Sequence, residues 1–194
     1  MIVTYQMLLE NLKNYKSPDN KIKRMIDKKE IIKLRKGLYE MNKNASGYLF
    51  AGAIYGLSYL SLDYALSYYG LIPERVVEYT SVTSNTRKTK TYTNLFGRYT
   101  YRDIPIAAYP YEVKLMQEGD YSYWLASPCK ALCDKLYTLK PVKNKKELKT
   151  LLFEDLRIDE DEFNKLDKQV LLDLCPLYKS TNLNILRKII LNGF

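Results

Sequence analysis

The sequence has 194 residues, 46% of them hydrophobic, and 31 Lys and Arg stand against 22 Asp and Glu for a net charge of +9. That apolar content is ample for one large core, or for a small core beside a medium one, and no run of about 18 apolar residues exists to span a membrane. There is no histidine, which excludes Ser-His-Asp and Cys-His nucleophile pairs and the His-Glu-x-x-His metallopeptidases.

No Gly-rich phosphate loop is present, and no cofactor is expected. Three cysteines, an odd number in a long chain, argue against a disulfide framework. Cys129, Cys133 and Cys175 read as buried small apolar residues, and no metal is expected, because structural zinc sites use Cys and His. The opening residues, Met1 to Gln6, lack a basic region followed by an apolar stretch, so the expectation is a protein without a signal peptide, in the cytoplasm. The charge is uneven. Residues 1–45 hold eleven Lys and Arg against five Asp and Glu, which points to a polyanionic partner.

In chain order, residues 5–15 read as a helix with Met7, Leu8, Leu12 and Tyr15 near one face. Ser17-Pro18 opens a second, with Ser17 as N-cap and Pro18 where its missing N–H costs nothing. Ile22, Met25 and Ile26 form its inward stripe. Ile32-Lys33-Leu34-Arg35 alternates as a strand, Lys36-Gly37 turns, and Leu38-Tyr39 returns. Helix, helix, basic hairpin is the order of a winged helix-turn-helix; most such domains have another helix first, and here either that helix is missing or the second domain replaces its packing. The second helix can enter a major groove about 12 Å wide, with the hairpin against phosphate. The residues placed for this are Asn20, Lys21, Arg24 and Lys28 on the helix and Lys33, Arg35 and Lys36 on the hairpin.

The polar stretch Asn42 to Gly47 reads as a boundary, giving residues 1–45 and 46–194 as two domains. Residues 48–55 are helical in pattern. Ser61 to Tyr69 follows as a helix with Ser61 as N-cap, Leu62, Ala65, Leu66 and Tyr69 inward, and Gly70, Leu71 and Pro73 as its stop. Strands are expected over 76–83, 91–94 and 98–102, the first two joined by a polar turn at 85–90. The product is an antiparallel sheet carrying Arg87, Lys88, Lys90, Arg98 and Arg102 among Tyr92, Tyr99 and Tyr101, an arrangement that can stack bases. Asp103, Glu112 and Lys114 form the bare pattern of a Mg²⁺-dependent nuclease. Ser127-Pro128 opens a helix to about Leu139, and further helices cover 148–156, 159–170 and 180–190. The fold class is α+β: a small winged-helix-like domain, then a mixed domain with an antiparallel sheet and several helices.

Four blocks carry a resemblance. Tyr59 to Pro73 resembles the pattern Tyr-x-Ser-Leu-x-x-Ala-Leu-x-Tyr-x-Gly-Leu-Ile-Pro of the AbiEi family, the antitoxins of type IV (abortive infection) toxin–antitoxin systems. Arg35 to Tyr39 resembles the wing of its DNA-binding domain, and Ser81 to Ser84 the strand after the signature. Leu125 to Asp134 resembles Ala-Ser-Pro-Glu-Lys-Ala-Leu-x-Asp, with Cys129 where the family has Glu. The resemblance implies a non-enzymatic antitoxin. Such a protein binds inverted repeats in double-stranded DNA at its own promoter. It also counteracts a co-encoded nucleotidyltransferase toxin without needing stable contact. Two other readings stand beside it: a protein-interaction module with a vestigial winged helix, and the nuclease.

Overall fold

The computed structural model describes residues 1–84 and 88–193. Residues 85–87 of the turn expected at 85–90, Arg87 among them, lie outside the described residues.

The chain opens on a strand that the sequence reading did not contain, β1 (Ile2–Thr4). Thr4 then caps α1 (Tyr5–Asn11), its hydroxyl accepting from the Met7 N–H. The helix stops four residues short of the expected end. Leu12 leaves helical geometry while its N–H still reaches Leu8 and Leu9. Leu8 and Leu12 are buried, whereas Met7 and Tyr15 are exposed. α2 (Pro18–Asp27) starts on Pro18 as expected, but the Ser17 side chain makes no capping bond. β2 (Ile32–Arg35) and β3 (Leu38–Glu40) form the hairpin, and β1 adds to β3 to complete a three-stranded antiparallel sheet in the order β1-β3-β2.

A short 3-10 segment (Gly47–Phe50) runs into α3 (Ala51–Ile54), followed by a two-residue strand β4 (Tyr59–Leu60) and α4 (Leu62–Tyr68). Five strands come next: β5 (Tyr79–Ser84), β6 (Lys90–Asn94), β7 (Gly97–Ile104), β8 (Val113–Glu118) and β9 (Tyr121–Ala126). With β4 they make a six-stranded sheet ordered β6-β7-β5-β4-β9-β8. Three pairings are antiparallel; β5 with β7 and β4 with β9 are parallel. The first parallel pair arises because β6 is laid outside β7, so the strands on either side of it in sequence meet running the same way. The α+β class is as expected, with a sheet that is mixed in detail.

After the sheet come α5 (Pro128–Tyr137) and α6 (Lys145–Thr150), which a π-turn over Leu151–Asp155 prolongs. The helix expected over 159–170 is two, α7 (Glu160–Lys165) and α8 (Lys168–Leu174). Leu166 turns extended, and the Asp167 carboxylate takes the N–H groups of Gln169 and Val170, starting a new helix. A 3-10 turn (Cys175–Tyr178) and α9 (Thr181–Asn192) end the described chain.

Buried apolar residues fall into two clusters. The smaller gathers Val3, Leu8, Leu12, Ile22, Ile31 and Tyr39. The larger fills the space between the six-stranded sheet and its helices, and includes Leu66, Tyr101, Leu125, Leu132 and Leu183. Leu34 of the hairpin belongs to the larger one, and the Asn94 side-chain amide donates to the Leu34 carbonyl at 3.2 Å. The hairpin is thus braced against the turn after β6. Among the described residues no helix is long and apolar enough to cross a membrane.

α4 ends as its sequence requires. Gly70 takes φ +74, the Gly70 N–H reaches the Ser67 carbonyl, and the Leu71 N–H reaches Leu66. This is the paired bonding of a Schellman stop, with Leu71 buried beneath it. Its start differs from expectation. Ser61 sits at the N-cap, but its hydroxyl makes no cap bond. Thr80 of β5 replaces it, accepting from the Tyr64 N–H at 2.9 Å and donating to the Ser61 carbonyl at 2.7 Å. The Ser61 hydroxyl is free for another task.

Candidate nucleic-acid interface

On a helix of about 100° per residue, Asn20, Arg24 and Lys28 fall four apart along one stripe. Ile22, Met25 and Ile26 lie on the opposite side; Ile22 is buried and the other two pack half-buried against the smaller cluster. Asn20, Arg24 and Lys28 are exposed, and Lys21 is half-buried. Lys21 lies about 100° round from Asn20, next to Met25, and so at the edge of the buried face. Its ammonium sits over the Tyr15 ring, 5.8 Å from the centroid.

On the hairpin the alternation of β2 buries Ile32 and Leu34 and exposes Lys33 and Arg35 on the other face. A register shift between Lys33 and Arg35 leads into the turn at Lys36 and Gly37. Gly37 adopts φ +76, a left-handed turn conformation that favours glycine, and its carbonyl accepts from the Tyr5 N–H at 2.9 Å. That bond ties the tip of the hairpin to the first residue of α1. Among the described residues no carboxylate lies within ion-pairing distance of Arg24, Lys28, Lys33, Arg35 or Lys36. Five cations therefore stand exposed on α2 and the hairpin without a protein counter-charge. The sheet cations differ: Arg98 pairs with Glu78 at 3.2 Å, and Arg102 donates to the Thr89 hydroxyl at 3.1 Å.

The nuclease pattern does not assemble. Asp103 is on β7 and Lys114 on β8, with β5, β4 and β9 between them. At about 4.8 Å per strand that is roughly 19 Å. Glu112 is exposed just before β8. Among the described residues no group of three His, Cys, Asp or Glu is placed to hold a metal ion. All three cysteines are free and buried. Burial pushes the Cys129 thiol up to about 11, and a thiol hydrogen bond with Cys175, with burial, raises Cys133 well above the ordinary thiol range.

A cluster that sequence reasoning missed lies between two of the blocks. Lys130 and Asp134, one helical turn apart on α5, are fully buried and 3.1 Å apart. Asp134 accepts from the hydroxyls of Ser61 at 2.7 Å, Tyr59 at 3.0 Å and Tyr178 at 2.6 Å. Lys130 donates to the Ala108 carbonyl and to Tyr178, each at 2.6 Å. Burial lowers the Lys130 ammonium from its ordinary value, against the pull of Asp134, and pushes both tyrosines well above theirs. Tyr59 and Ser61 belong to the first block and Lys130 and Asp134 to the last, so side chains some seventy positions apart close on one carboxylate. A Lys and an Asp at i and i+4 among the apolar residues of that helix were the available signal. No family model matches the chain, and no curated protein does.

Proposed function

We propose that the protein is an AbiEi-like antitoxin and DNA-binding autorepressor that counteracts a co-encoded nucleotidyltransferase toxin. The observation that carries the reading is the exposed, unpaired set of cations on a strand-helix-helix-hairpin frame. α2 presents Asn20, Arg24 and Lys28 in a stripe, with Lys21 at its edge. The braced hairpin presents Lys33, Arg35 and Lys36. A helix of ten residues is about 15 Å long, enough to lie in a major groove with the hairpin against the adjoining phosphates. The meeting of the first and last blocks at Asp134 supports the resemblance, since both blocks then serve one buried arrangement.

The test joins both functions. The DNA upstream of the gene is placed before a reporter, and the neighbouring toxin gene is expressed under separate control. Wild-type protein represses the reporter and restores growth. The variant Arg24→Ala/Arg35→Ala/Lys36→Ala loses repression and keeps rescue, because the cations serve DNA only. Unchanged repression by the triple variant removes α2 and the hairpin from the interface. Failure of the wild type to rescue growth removes the antitoxin reading.

A further inference from the structure

β9 is paired on one side along its whole length and on the other at a single point. β8 matches all six residues from Tyr121 to Ala126. On the opposite edge β4 meets β9 only where Leu60 faces Leu125. The reason is local. Leu57 adopts φ +54, which turns the chain off the sheet, so β4 begins only at Tyr59. The Leu57 carbonyl is held in that position by the hydroxyls of Tyr109 and Thr83. Among the described residues no turn or loop backbone bonds to positions 121–124 in place of a strand.

The gap is a groove of about 940 Å³, at the upper end of the range of ligand sites. Leu57, Tyr59, Tyr109 and Trp124 line it on one side, and Leu49, Gly52 and Ala53 on the other. Leu57 and Trp124 are 86% and 50% exposed. At the hairpin end of β9 the lining includes Asp120 and Met1; the Met1 ammonium is neutralised by Glu40 and donates to the Tyr121 hydroxyl, which leaves the Asp120 carboxylate as the uncompensated charge there. Asp120 has no ion-pair partner among the described residues. An apolar trough with a bare strand edge and an acidic end thus opens on a protein of net charge +9.

We infer that this groove binds an extended peptide, which continues the β4 column as a strand against β9. The free backbone edge recognises another backbone, since only alternating N–H and C=O groups satisfy it along its length. The open stretch of four residues is about 13 Å long. Alternate side chains of the peptide then face Trp124 and Tyr109 on one side and Leu49 and Ala53 on the other. A Lys or Arg at one end of the peptide meets Asp120. The ligand is an apolar, strand-forming segment with one basic end, and the site is separate from the cations of α2 and the hairpin.

Trp124 is the one tryptophan, so its emission reports on the groove directly. The probe is a positional-scanning library of acetylated, amidated hexapeptides titrated into the full chain. Peptides with alternating apolar residues and a basic end shift Trp124 emission to shorter wavelength and saturate. N-methylation of the amides that face β9 weakens them at least tenfold, and methylation of the alternate amides does not. Gly52→Leu fills the trough and also weakens them tenfold or more. A Cβ at Gly52 meets nothing nearer than the Ser58 carbonyl at 3.9 Å, so the thermal midpoint holds. Leu57→Asp, at an exposed position, is the second variant should Gly52→Leu lower that midpoint. Asp120→Asn abolishes the preference for a basic end. No shift with any library member overturns the inference. So does binding that ignores the phase of N-methylation, which marks a simple apolar pocket. A dimer that buries Trp124 and excludes the peptides overturns it as well, since the occupant is then a second copy.

Discussion

Asp134 is satisfied entirely by protein groups: three hydroxyls and the Lys130 ammonium. Removing one member of a buried ion pair leaves the other uncompensated, at a cost of about 3–5 kcal/mol, whereas replacing both by apolar groups of similar volume is often close to neutral. Asp134→Ala is therefore expected to lose that much stability in urea unfolding, and Lys130→Met/Asp134→Leu to recover most of it. Losses that simply add in the double variant would show that the two side chains do not depend on one another. Leu57 carries strain of a different kind. A left-handed conformation costs a residue with a Cβ about 1–2 kcal/mol, and the side chain buries almost nothing in return. Leu57→Gly is expected to raise the thermal midpoint slightly despite the greater freedom of glycine in the unfolded chain; a lowered midpoint would mean the Leu57 side chain contributes packing. At this scale the sequence was informative about type and silent about partner. Ser61 was legible as an N-cap residue, but its hydroxyl is drawn to Asp134 because a buried carboxylate is the stronger acceptor and Thr80 stands ready to cap in its place.

The hairpin of β2 and β3 and the helix α2 are where local pattern and structure agree best. Ile32 and Leu34 face in, Lys33 and Arg35 face out, and Pro18 opens the helix, because each pattern is set by neighbours in sequence. The hairpin also carries a quantitative expectation. Each phosphate contact contributes about 0.9 to the slope of log affinity against log salt, so Arg35→Ala/Lys36→Ala should flatten that slope by about 2 on any duplex. An unchanged slope would place the hairpin away from DNA. β8 and β9 were not legible as a pair. β8 is the last strand of its sheet, and its exposed and half-buried positions do not alternate cleanly, since an edge strand is wetted on more than one side. The long helix expected over 159–170 failed for a related reason: periodicity continues through Leu166, while the Asp167 cap that interrupts it is a side-chain choice. β1 was missed because three residues beside a hairpin become a strand only through pairing with it.

Across the whole molecule the 19 tyrosines set the response to alkali. Tyr59, Tyr99, Tyr101 and Tyr178 are fully buried, and burial raises each above the ordinary value of 10; Tyr121 and Tyr123 rise to about 12. A folded-state value above the unfolded one gives stability that is complete below about pH 10 and is lost as the pH rises beyond it. Each tyrosine that ionises only on unfolding removes about 1.4 kcal/mol per pH unit there. Lys130, lowered by burial, acts in the opposite sense, but as one group against several. Unfolding free energy should thus fall steeply above pH 10, with the later part of the tyrosinate absorbance appearing together with loss of structure. Full ionisation of the tyrosines while the fold persists would contradict the burial described.

The charge asymmetry is also a whole-molecule property, and the DNA-binding claim rests on it. The most direct test is a titration of the purified protein against the duplex upstream of its own gene, beside a scrambled duplex, at about 50 and 200 mM salt. The account predicts tighter binding to the upstream duplex at both salts, with a salt slope that Arg35→Ala/Lys36→Ala reduces. Equal affinity for both duplexes, or binding to neither, would contradict it.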